Sequence, residues 1–207
     1  MSFGKPLSKQ FVAMLIVLSA LSAGCSGNPD GGSATGSAAT GSPTASAPTT
    51  GRDGRTLLPT GSSVACGLLD DAAIKSTLGP PADSLQPAQP VAERMPAGVT
   101  HDSCLHAFDA GGASTNALTV QIITYPSAAE ATAADPFGML NAPEDVPGLK
   151  NEAKYSMIPL SGSTEFVIVS LDGERIVKLI VALPPDAAWE PAAGRERMLD
   201  LARTAQL

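Results

Sequence analysis

The chain has 207 residues, of which 43% are hydrophobic but only 4% aromatic, and its formal net charge is -7. The low aromatic content predicts a core of aliphatic side chains. The acidic balance excludes nucleic acid as a partner, because non-specific binding to nucleic acid depends on Lys and Arg neutralising phosphates. It also excludes electrostatic attachment to anionic lipid, so any membrane contact needs another source.

Residues 1–24 have the pattern of a bacterial signal peptide. Lys5 and Lys9 precede an apolar run that is shorter than the roughly 20 residues of a membrane-spanning helix. The segment ending at Cys25 resembles the lipobox of bacterial lipoproteins, although Ser22 stands where lipoboxes favour leucine. The resemblance implies a lipidated Cys25 whose acyl chains anchor the protein at the outer face of the cell membrane. The alternative is an ordinary secretory signal cut nearby.

Residues 25–63 predict a tether. The loss of residues 1–24, which carry two lysines and no acid, changes the net charge from -7 to -9. The segment that follows consists mainly of Gly, Ser, Ala, Thr and Pro, and it cannot bury enough apolar surface to offset the entropy lost on ordering. We therefore expect a disordered linker between membrane and domain. Composition alone does not distinguish a bare linker from an O-glycosylated one.

Residues 64–207 have the length of one globular domain with one core. The domain begins with a short helix that Asp70 is suited to cap and Gly79 is suited to end, with apolar residues four apart between them. Residues 82–100 contain prolines and small residues without a sustained period. We expect a surface loop there.

Two strands, a helix and a third strand are predicted next. Residues 103–108 alternate in polarity and residues 117–125 are rich in β-branched side chains, so the two segments predict a hairpin. Residues 127–135 begin with a Ser-x-x-Glu capping box, which predicts a second helix. A further strand is expected around residues 153–158.

The strongest strand pattern is a hairpin over residues 164–183. Its two arms, rich in Val and Ile, flank Asp172-Gly173, a pair that suits the positive φ angles of a two-residue turn. We expect this hairpin at the centre of the sheet, and a last helix over residues 194–206. Adjacent hairpins without strand–helix alternation predict an α+β fold: an antiparallel sheet of about five strands with three helices packed against it.

The cysteine count predicts one disulfide. With Cys25 lipidated, Cys66 and Cys104 remain in the same domain and in an oxidising compartment. A disulfide between them is the expected pairing, and a reactive or metal-binding pair is the alternative. Closing a loop of that length stabilises a domain by up to about 4 kcal/mol.

Three short motifs resemble an actinobacterial family of exported lipoproteins of unknown function. They are Cys66-Gly67-Leu68-Leu69 with Leu78-Gly79, Ser103-Cys104-Leu105-His106 before a strand, and Val146-Pro147-Gly148-Leu149 with Ala153. Similar paired-cysteine domains form the extracellular sensor parts of some mycobacterial Ser/Thr kinases. The resemblance implies an α+β envelope domain with a structural disulfide and no established catalysis. This chain has His106 where the family usually has tryptophan, and Lys150-Asn151 where it has a Gly-Asp pair.

His106 and Trp189 are the candidate contact residues. The preferred interpretation of His106 is a packed ring with one nitrogen hydrogen-bonded, and Trp189 is interpreted as a packing residue more readily than as an exposed contact. A metal site is the less favoured alternative, because the spacing of its four members does not place them on one strand face. Those members would be His101, Asp102, His106 and Asp109.

No motif indicates catalysis or a cofactor. The sequence contains no P-loop, nucleophile elbow, zinc-protease helix or dinucleotide fingerprint, so we expect neither an enzyme nor a bound cofactor or metal. Two functions remain. The favoured one is a non-catalytic accessory or scaffold protein that binds another envelope component, which predicts a filled core and an exposed apolar patch. The alternative is an outward-facing receptor or sensor for a small molecule or lipid, which predicts a cavity.

Overall fold

One antiparallel sheet organises the part of the chain that the structure, a computed structural model, describes: residues 49–50, 56–57, 63–149 and 151–207. The predicted signal peptide, Cys25 and most of the predicted tether lie outside the described residues. The strands are β1 (Thr49–Thr50), β2 (Thr56–Leu57), β3 (Gln89–Ala92), β4 (Thr100–Ala107), β5 (Ala117–Thr124), β6 (Glu144–Asp145), β7 (Glu152–Pro159), β8 (Thr164–Asp172) and β9 (Arg175–Leu183). Their order across the sheet is β1-β2-β3-β4-β5-β9-β8-β7-β6.

Seven of these strands lie between residues 63 and 207, where about five were predicted. The two additional ones are the short strands β3 and β6. Strand β3 falls in the segment predicted as a loop, because Pro90 breaks the strand pattern in the sequence. Pro90 is tolerated because β2 pairs with Val91 and Ala92, and no described residue pairs with Pro90 on that side of β3.

Strands β1 and β2 fall within residues 25–63, which were predicted as a disordered tether. They extend the sheet at the outer edge of β3. A strand added at an edge is held by backbone hydrogen bonds rather than by buried apolar side chains.

Three α-helices accompany the sheet in the described part of the chain: α1 (Asp71–Leu78), α2 (Ala128–Ala133) and α3 (Pro191–Thr204). Asp70 caps α1 as predicted, since its Oδ1 accepts from the N–H of Ala73 at 2.7 Å. Helix α3 begins three residues before the predicted position. The signal that was missed is Pro191, whose fixed φ and absent N–H suit the first position of a helix.

The helices divide between the two faces of the sheet. Phe166 and Ile168 of β8 belong to the main core with α1 and α3, and the intervening Val167 and Val169 belong to a second cluster with α2. This alternation is the period of two that a strand imposes on its side chains. We refer to the two sides as the α1–α3 face and the α2 face.

The β8–β9 hairpin lies at the centre of the sheet, as predicted, but its turn differs by one residue. Asp172 pairs with Arg175, so the two-residue loop is Gly173-Glu174 rather than Asp172-Gly173. Gly173 has a φ of 57°, whereas Glu174 is not among the residues with positive φ. A type II′ turn requires positive φ only at its first central residue, which Gly173 provides.

The predicted disulfide between Cys66 and Cys104 is present, with a Cα–Cα distance of 5.0 Å. It joins the segment before α1 to the middle of β4. The Asp102 carboxylate holds the same segment, because it accepts from Ser63 Oγ at 2.6 Å and from the backbone N–H of Val64 at 2.6 Å. The start of the helical layer is thus fixed to the sheet by one covalent link and by charged hydrogen bonds.

Gly194 sets how closely α3 approaches the sheet, which yields a first prediction. A Cβ at this position would overlap the Phe166 ring. In an ordinary helix Gly→Ala stabilises by about 1 kcal/mol, but here we expect Gly194→Ala to lower the free energy of unfolding by about 1–3 kcal/mol because of overpacking. Urea denaturation of the full chain measures the change.

The matched control for this prediction is Gly162→Ala. No heavy atom lies within 4 Å of a Cβ built at Gly162, and its φ is not positive, so we expect no loss of stability. Gly194→Ala should also be less destabilising in a Phe166→Leu background, where the ring is gone. Equal effects of Gly194→Ala in both backgrounds would contradict the close-approach explanation.

Candidate ligand-binding site

A cavity of about 340 Å³ lies where the outer edge of the sheet meets the start of α3. Strand β7 provides its floor, the segment before β6 provides one wall, and the first turn of α3 provides the other. The lining residues are Asn141, Ala142, Glu144, Tyr155, Ser156, Met157, Pro191, Ala192 and Arg195.

The cavity exists because β6 stops after two residues. Glu144 pairs with Tyr155, but the next residue back on that side, Ala142, has a φ of 44° and leads the chain away from β7. Ser156 Oγ donates to the Asn141 carbonyl at 2.6 Å and holds this bend in place. A left-handed conformation is unfavourable for a residue with a side chain, so Ala142 is a strained position in the wall of the cavity.

The bend leaves backbone groups of β7 exposed to the cavity. Val146 N–H donates to the Ala153 carbonyl at 2.9 Å, which shows that odd-numbered residues of β7 direct their backbone polar groups towards β6. Met157 is the next odd-numbered residue after Tyr155, and β6 has ended before it. Its N–H and C=O therefore face the open edge, where a bound group can use them.

Tyr155 lies in the cavity wall with an unused hydroxyl. The residue is 4% exposed, and its Oη has no hydrogen-bond partner among the described residues. Burial raises the pKa of Tyr155, the charge of Glu144 raises it further, and Arg195 opposes both effects. The Oη atom itself is enclosed, so a molecule in the cavity does not contact it.

The Arg195 guanidinium has hydrogen-bond donors that the described residues leave without a partner. Its Nε donates to Glu144 Oε2 at 3.0 Å, and this is the one hydrogen bond that the described residues provide to its guanidinium. Both Nη groups remain as donors. Glu144 itself is 60% exposed, so the ion pair is a surface pair of small net stability that a competing anion can disturb.

The first turn of α3 adds backbone donors. Glu190 makes no side-chain cap, Pro191 has no N–H, and the first helical hydrogen bond runs from Gly194 N–H to the Glu190 carbonyl at 2.9 Å. The N–H groups of Ala192 and Ala193 thus have no partner within the helix. They lie at the positive end of the helix dipole, which favours negative charge.

His106 lies in the core, on the α1–α3 face of β4. It is fully buried, and neither ring nitrogen has a hydrogen-bond partner among the described residues, so the expectation of one satisfied nitrogen was wrong. The alternation along β4 correctly predicted the face of the sheet on which the His106 ring lies, but it gave no information about hydrogen-bond partners. Burial lowers the pKa of His106, with Asp71 of α1 acting weakly in the opposite direction. A residue enclosed in this way has no surface available for a contact.

The four residues of the alternative metal site do not converge. His101 lies on the α2 face of β4, whereas Asp102 and His106 lie on the α1–α3 face. Asp102 holds the segment before α1, and Asp109 Oδ2 accepts from Asn116 Nδ2 at 2.6 Å. Among the described residues, no group of three or more His, Cys, Asp or Glu is arranged to hold a metal ion.

Trp189 packs against Phe166, with ring centroids 5.1 Å apart, and lines a second cavity of about 460 Å³. Arg197 is the charged residue of that cavity, and its guanidinium already contacts two other residues. Its guanidinium lies 5.5 Å from the Trp189 ring centroid, and its Nη1 donates to the Thr77 carbonyl at 2.8 Å. The second cavity therefore offers an aromatic surface beside a guanidinium that is already held by the Trp189 ring and the Thr77 carbonyl.

Sequence reasoning missed Tyr155, Glu144 and Arg195. One signal was available, because Arg195 falls in the first turn of the predicted last helix, where a cation opposes the helix dipole. An arginine at that position indicates a role other than helix stability. Strand alternation does not reveal whether the hydroxyl of a buried tyrosine finds a partner, so Tyr155 had no comparable signal.

The α2 face also carries polar residues in the middle of the sheet. Ser103, Gln121 and Lys178 occupy one cross-strand row, and Ser103 Oγ is buried without a hydrogen-bond partner among the described residues. Burial lowers the pKa of Lys178, and Glu93 opposes this shift. This polar row was not predicted from the sequence, because the residues that flank Lys178 in β9 are apolar.

One of the comparisons with known proteins finds a weak structural likeness. No protein-family model matches the chain, and no curated protein matches it. A solved structure, the extracellular domain of PknH from Mycobacterium tuberculosis, matches with a TM-score of 0.43 and 12% identity, covering 72% of this chain and 98% of that one. The site described above is independent of this match. Within the described residues, no helix has the length and apolar character needed to cross a membrane.

The buried neutral His106 generates a second prediction. Its pKa is lowered in the folded state, so the unfolded chain binds a proton first as the pH falls below about 6.5. The free energy of unfolding should then decrease by up to about 1.4 kcal/mol per pH unit until the folded-state pKa is reached. We expect His106→Leu to remove this decrease, measured by urea denaturation between pH 7.5 and pH 5.

The control for the pH series is His101→Gln, which changes the other histidine of the chain. It should retain the decrease seen in the unsubstituted protein. His106→Leu should also raise the stability at pH 7.5, because it removes two buried nitrogens that have no partner. A His106→Leu variant with an unchanged pH profile would refute the assignment.

Proposed function

We propose that this domain is a non-catalytic receptor domain of the cell envelope that binds a small molecule in the cavity between β7 and α3. The observation that carries the proposal is Arg195, the one cation in the cavity lining, whose two Nη groups have no hydrogen-bond partner among the described residues. Hydrogen bonds from a charged donor are roughly twice as strong as neutral ones, so a ligand that accepts from these groups gains affinity.

The remaining groups of the cavity support the same role. The spare donors of Arg195 and of the α3 N-terminus converge with the open β7 edge on one volume. This combination of an apolar floor with a few convergent polar groups is typical of ligand sites. At about 340 Å³ the cavity lies at the lower end of the range for such sites, which indicates a ligand of a few heavy atoms or one end of a larger molecule.

The compartment is part of the proposal. The Cys66–Cys104 disulfide supports an oxidising environment, because disulfides are rare in the cytosol. Together with the predicted signal peptide and the lipobox-like segment at Cys25, it supports a domain held outside the membrane by acyl chains. A receptor in this position meets its ligand from the exterior or from the envelope itself.

The scaffold role that the sequence favoured has less support. It predicts an exposed apolar patch, and the large apolar side chains exposed among the described residues are Val64, Met139 and Leu160. Val64 lies beside Asp102, towards the end of the sheet that holds the Gly173 turn. Leu160 lies in the β7–β8 turn at the other end. They do not form one patch of the size that protein partners use.

A cavity-filling substitution tests the receptor role. Ala192 lines the cavity and is exposed, so Ala192→Phe should occupy the volume while leaving the polar groups in place. Native mass spectrometry of the full chain extracted from its own envelope should show a bound small molecule on the unsubstituted protein. We expect Ala192→Phe to lose that mass.

Ala129→Phe is the matched control, since Ala129 is equally exposed but lies in α2 and does not line the cavity. It should retain the bound molecule. Retention by both variants, or a bare domain on the unsubstituted protein after exposure to an envelope extract, would overturn the receptor role. A protein-sized mass on the domain would favour the scaffold role instead.

A further inference from the structure

The α2 face of the sheet carries a lysine amine that a molecule from solution can reach. Lys178 lies in β9 between β5 and β8, so pairing on both sides fixes its backbone. The residue is partly exposed, and the described residues form no hydrogen bond or ion pair with its Nζ. Nζ is also not one of the enclosed, partnerless polar atoms of the described residues, which belong to His101, Ser103, His106 and Tyr155. In contrast to those atoms, it is open to a partner from outside the domain.

Apolar side chains surround the stem of Lys178. Ile176 and Ile180 flank it along β9, and Val169 lies opposite it on β8. Ile176 and Val169 are buried members of the second cluster, and Ile180 packs against that cluster. Such surroundings remove water from the ammonium form and favour the neutral amine. Burial shifts the pKa of Lys178 in this direction, below its ordinary value.

The ionisable residues on the elements around Lys178 do not pair with it. They are Glu93 and Arg94 after β3, His101 on β4, Glu130 on α2 and Glu165 on β8. The Glu93 charge opposes the lowered pKa, but its Oε2 lies 3.5 Å from His101 Nδ1 and it forms no ion pair with Lys178. By contrast, Lys154 Nζ lies 2.8 Å from Asp145 Oδ1, and this hydrogen bond raises the pKa of Lys154.

Gln121 provides a neutral polar group beside the amine. It lies directly opposite Lys178 in the β5–β9 ladder, where the Cβ atoms of facing residues are about 4.5–5.5 Å apart. Its carboxamide has no hydrogen-bond partner among the described residues and is not enclosed. An amide offers both N–H donors and an acceptor oxygen. It can therefore hold a carbonyl oxygen next to Nζ without the negative charge that would favour protonation of the amine.

We propose that Lys178 is a capture site for small aldehydes or ketones, which it holds covalently as an imine. The Nζ lone pair attacks the carbonyl carbon, the C=O π electrons pass to the oxygen, and one proton moves from nitrogen to that oxygen. The C–O bond then breaks, the nitrogen lone pair forms the C=N bond, and the hydroxyl leaves as water with the second nitrogen proton. Amine and carbonyl compound thus give imine and water, without an oxidant or reductant. The site lies on the opposite face of the sheet from α3.

Reductive trapping tests the reactivity of Lys178 directly. The full chain is treated at pH 7 with propanal and sodium cyanoborohydride, which reduces each imine to a stable amine, and peptide mass mapping measures the rate at each lysine. We expect Lys178 to react severalfold faster than the exposed Lys75 and the paired Lys154, because an ordinary lysine, with a pKa of about 10.4, is almost entirely protonated at pH 7. The preference should decrease towards pH 10, where the other lysines also lose their protons. Equal rates at pH 7, or labelling of Lys75 without Lys178, would overturn the proposal.

Substitutions of opposite sign separate reactivity from mere accessibility. Gln121→Glu places a carboxylate opposite Lys178 with little change of shape, and it should slow the labelling of Lys178 at pH 7 roughly tenfold, because a nearby opposite charge favours the ammonium form. Glu93→Gln removes the opposing charge and should speed this labelling severalfold. Asp145→Asn is the matched control, since it releases Lys154 and should accelerate labelling of Lys154 alone. A Lys178 rate that neither Gln121→Glu nor Glu93→Gln changes would refute the proposed role.

Two further variants complete the test. Lys178→Met should abolish the preferred label while leaving the free energy of unfolding unchanged or higher, because it removes a half-buried amine without a partner. Ala192→Phe lies in α3, so it should leave the labelling of Lys178 unchanged. Persistence of the fastest label at another lysine in Lys178→Met would overturn the assignment to Lys178. The capture site and the receptor cavity can therefore fail independently of each other.

Discussion

The register of the strand pairing from β4 across to β7 is the constraint on which both the disulfide and the cavity depend. A one-residue slip of β7 would move Tyr155 to the α2 face, and the same slip of β4 would separate Cys104 from Cys66. The disulfide and the phenol of the cavity are thus fixed by one set of backbone hydrogen bonds. The shared cross-strand row on the α1–α3 face runs through Tyr155, Ile168, Leu179, Val120 and Cys104.

The close approach at Gly194 places the start of α3 on this framework. Phe166 pairs with Met157 across the β7–β8 ladder, and Gly194 packs on the Phe166 ring. The first helical turn therefore lies beside the one stretch of β7 that β6 leaves open. Arg195 follows Gly194 directly, so its side chain and the unpaired N–H groups at the start of α3 lie at the cavity. A small residue in a helix thereby positions the proposed binding groups.

Much of the fold followed from the sequence, and little of the site did. The β8–β9 hairpin was predictable because Val and Ile persist along both arms, and α1 was predictable because Asp70 and Gly79 mark its ends. Strand β3 was not, since its four residues contain Pro90. The cavity depends on a strand that stops after two residues and on the left-handed Ala142. Such features arise from tertiary pairing, which composition and periodicity do not encode.

Two buried residues with unpartnered polar atoms show why location decides function. His106 and Tyr155 occupy the same face of the sheet, and both lack hydrogen-bond partners among the described residues. His106 lies in the filled core and lines neither cavity described above, so its unpaired nitrogens only reduce stability and make it sensitive to acid. Tyr155 lies beside the cavity, but its Oη is enclosed like the His106 nitrogens, so it carries the same cost in stability. An unpaired donor favours binding only where a partner can reach it, and in this cavity that condition is met by the partly exposed Arg195.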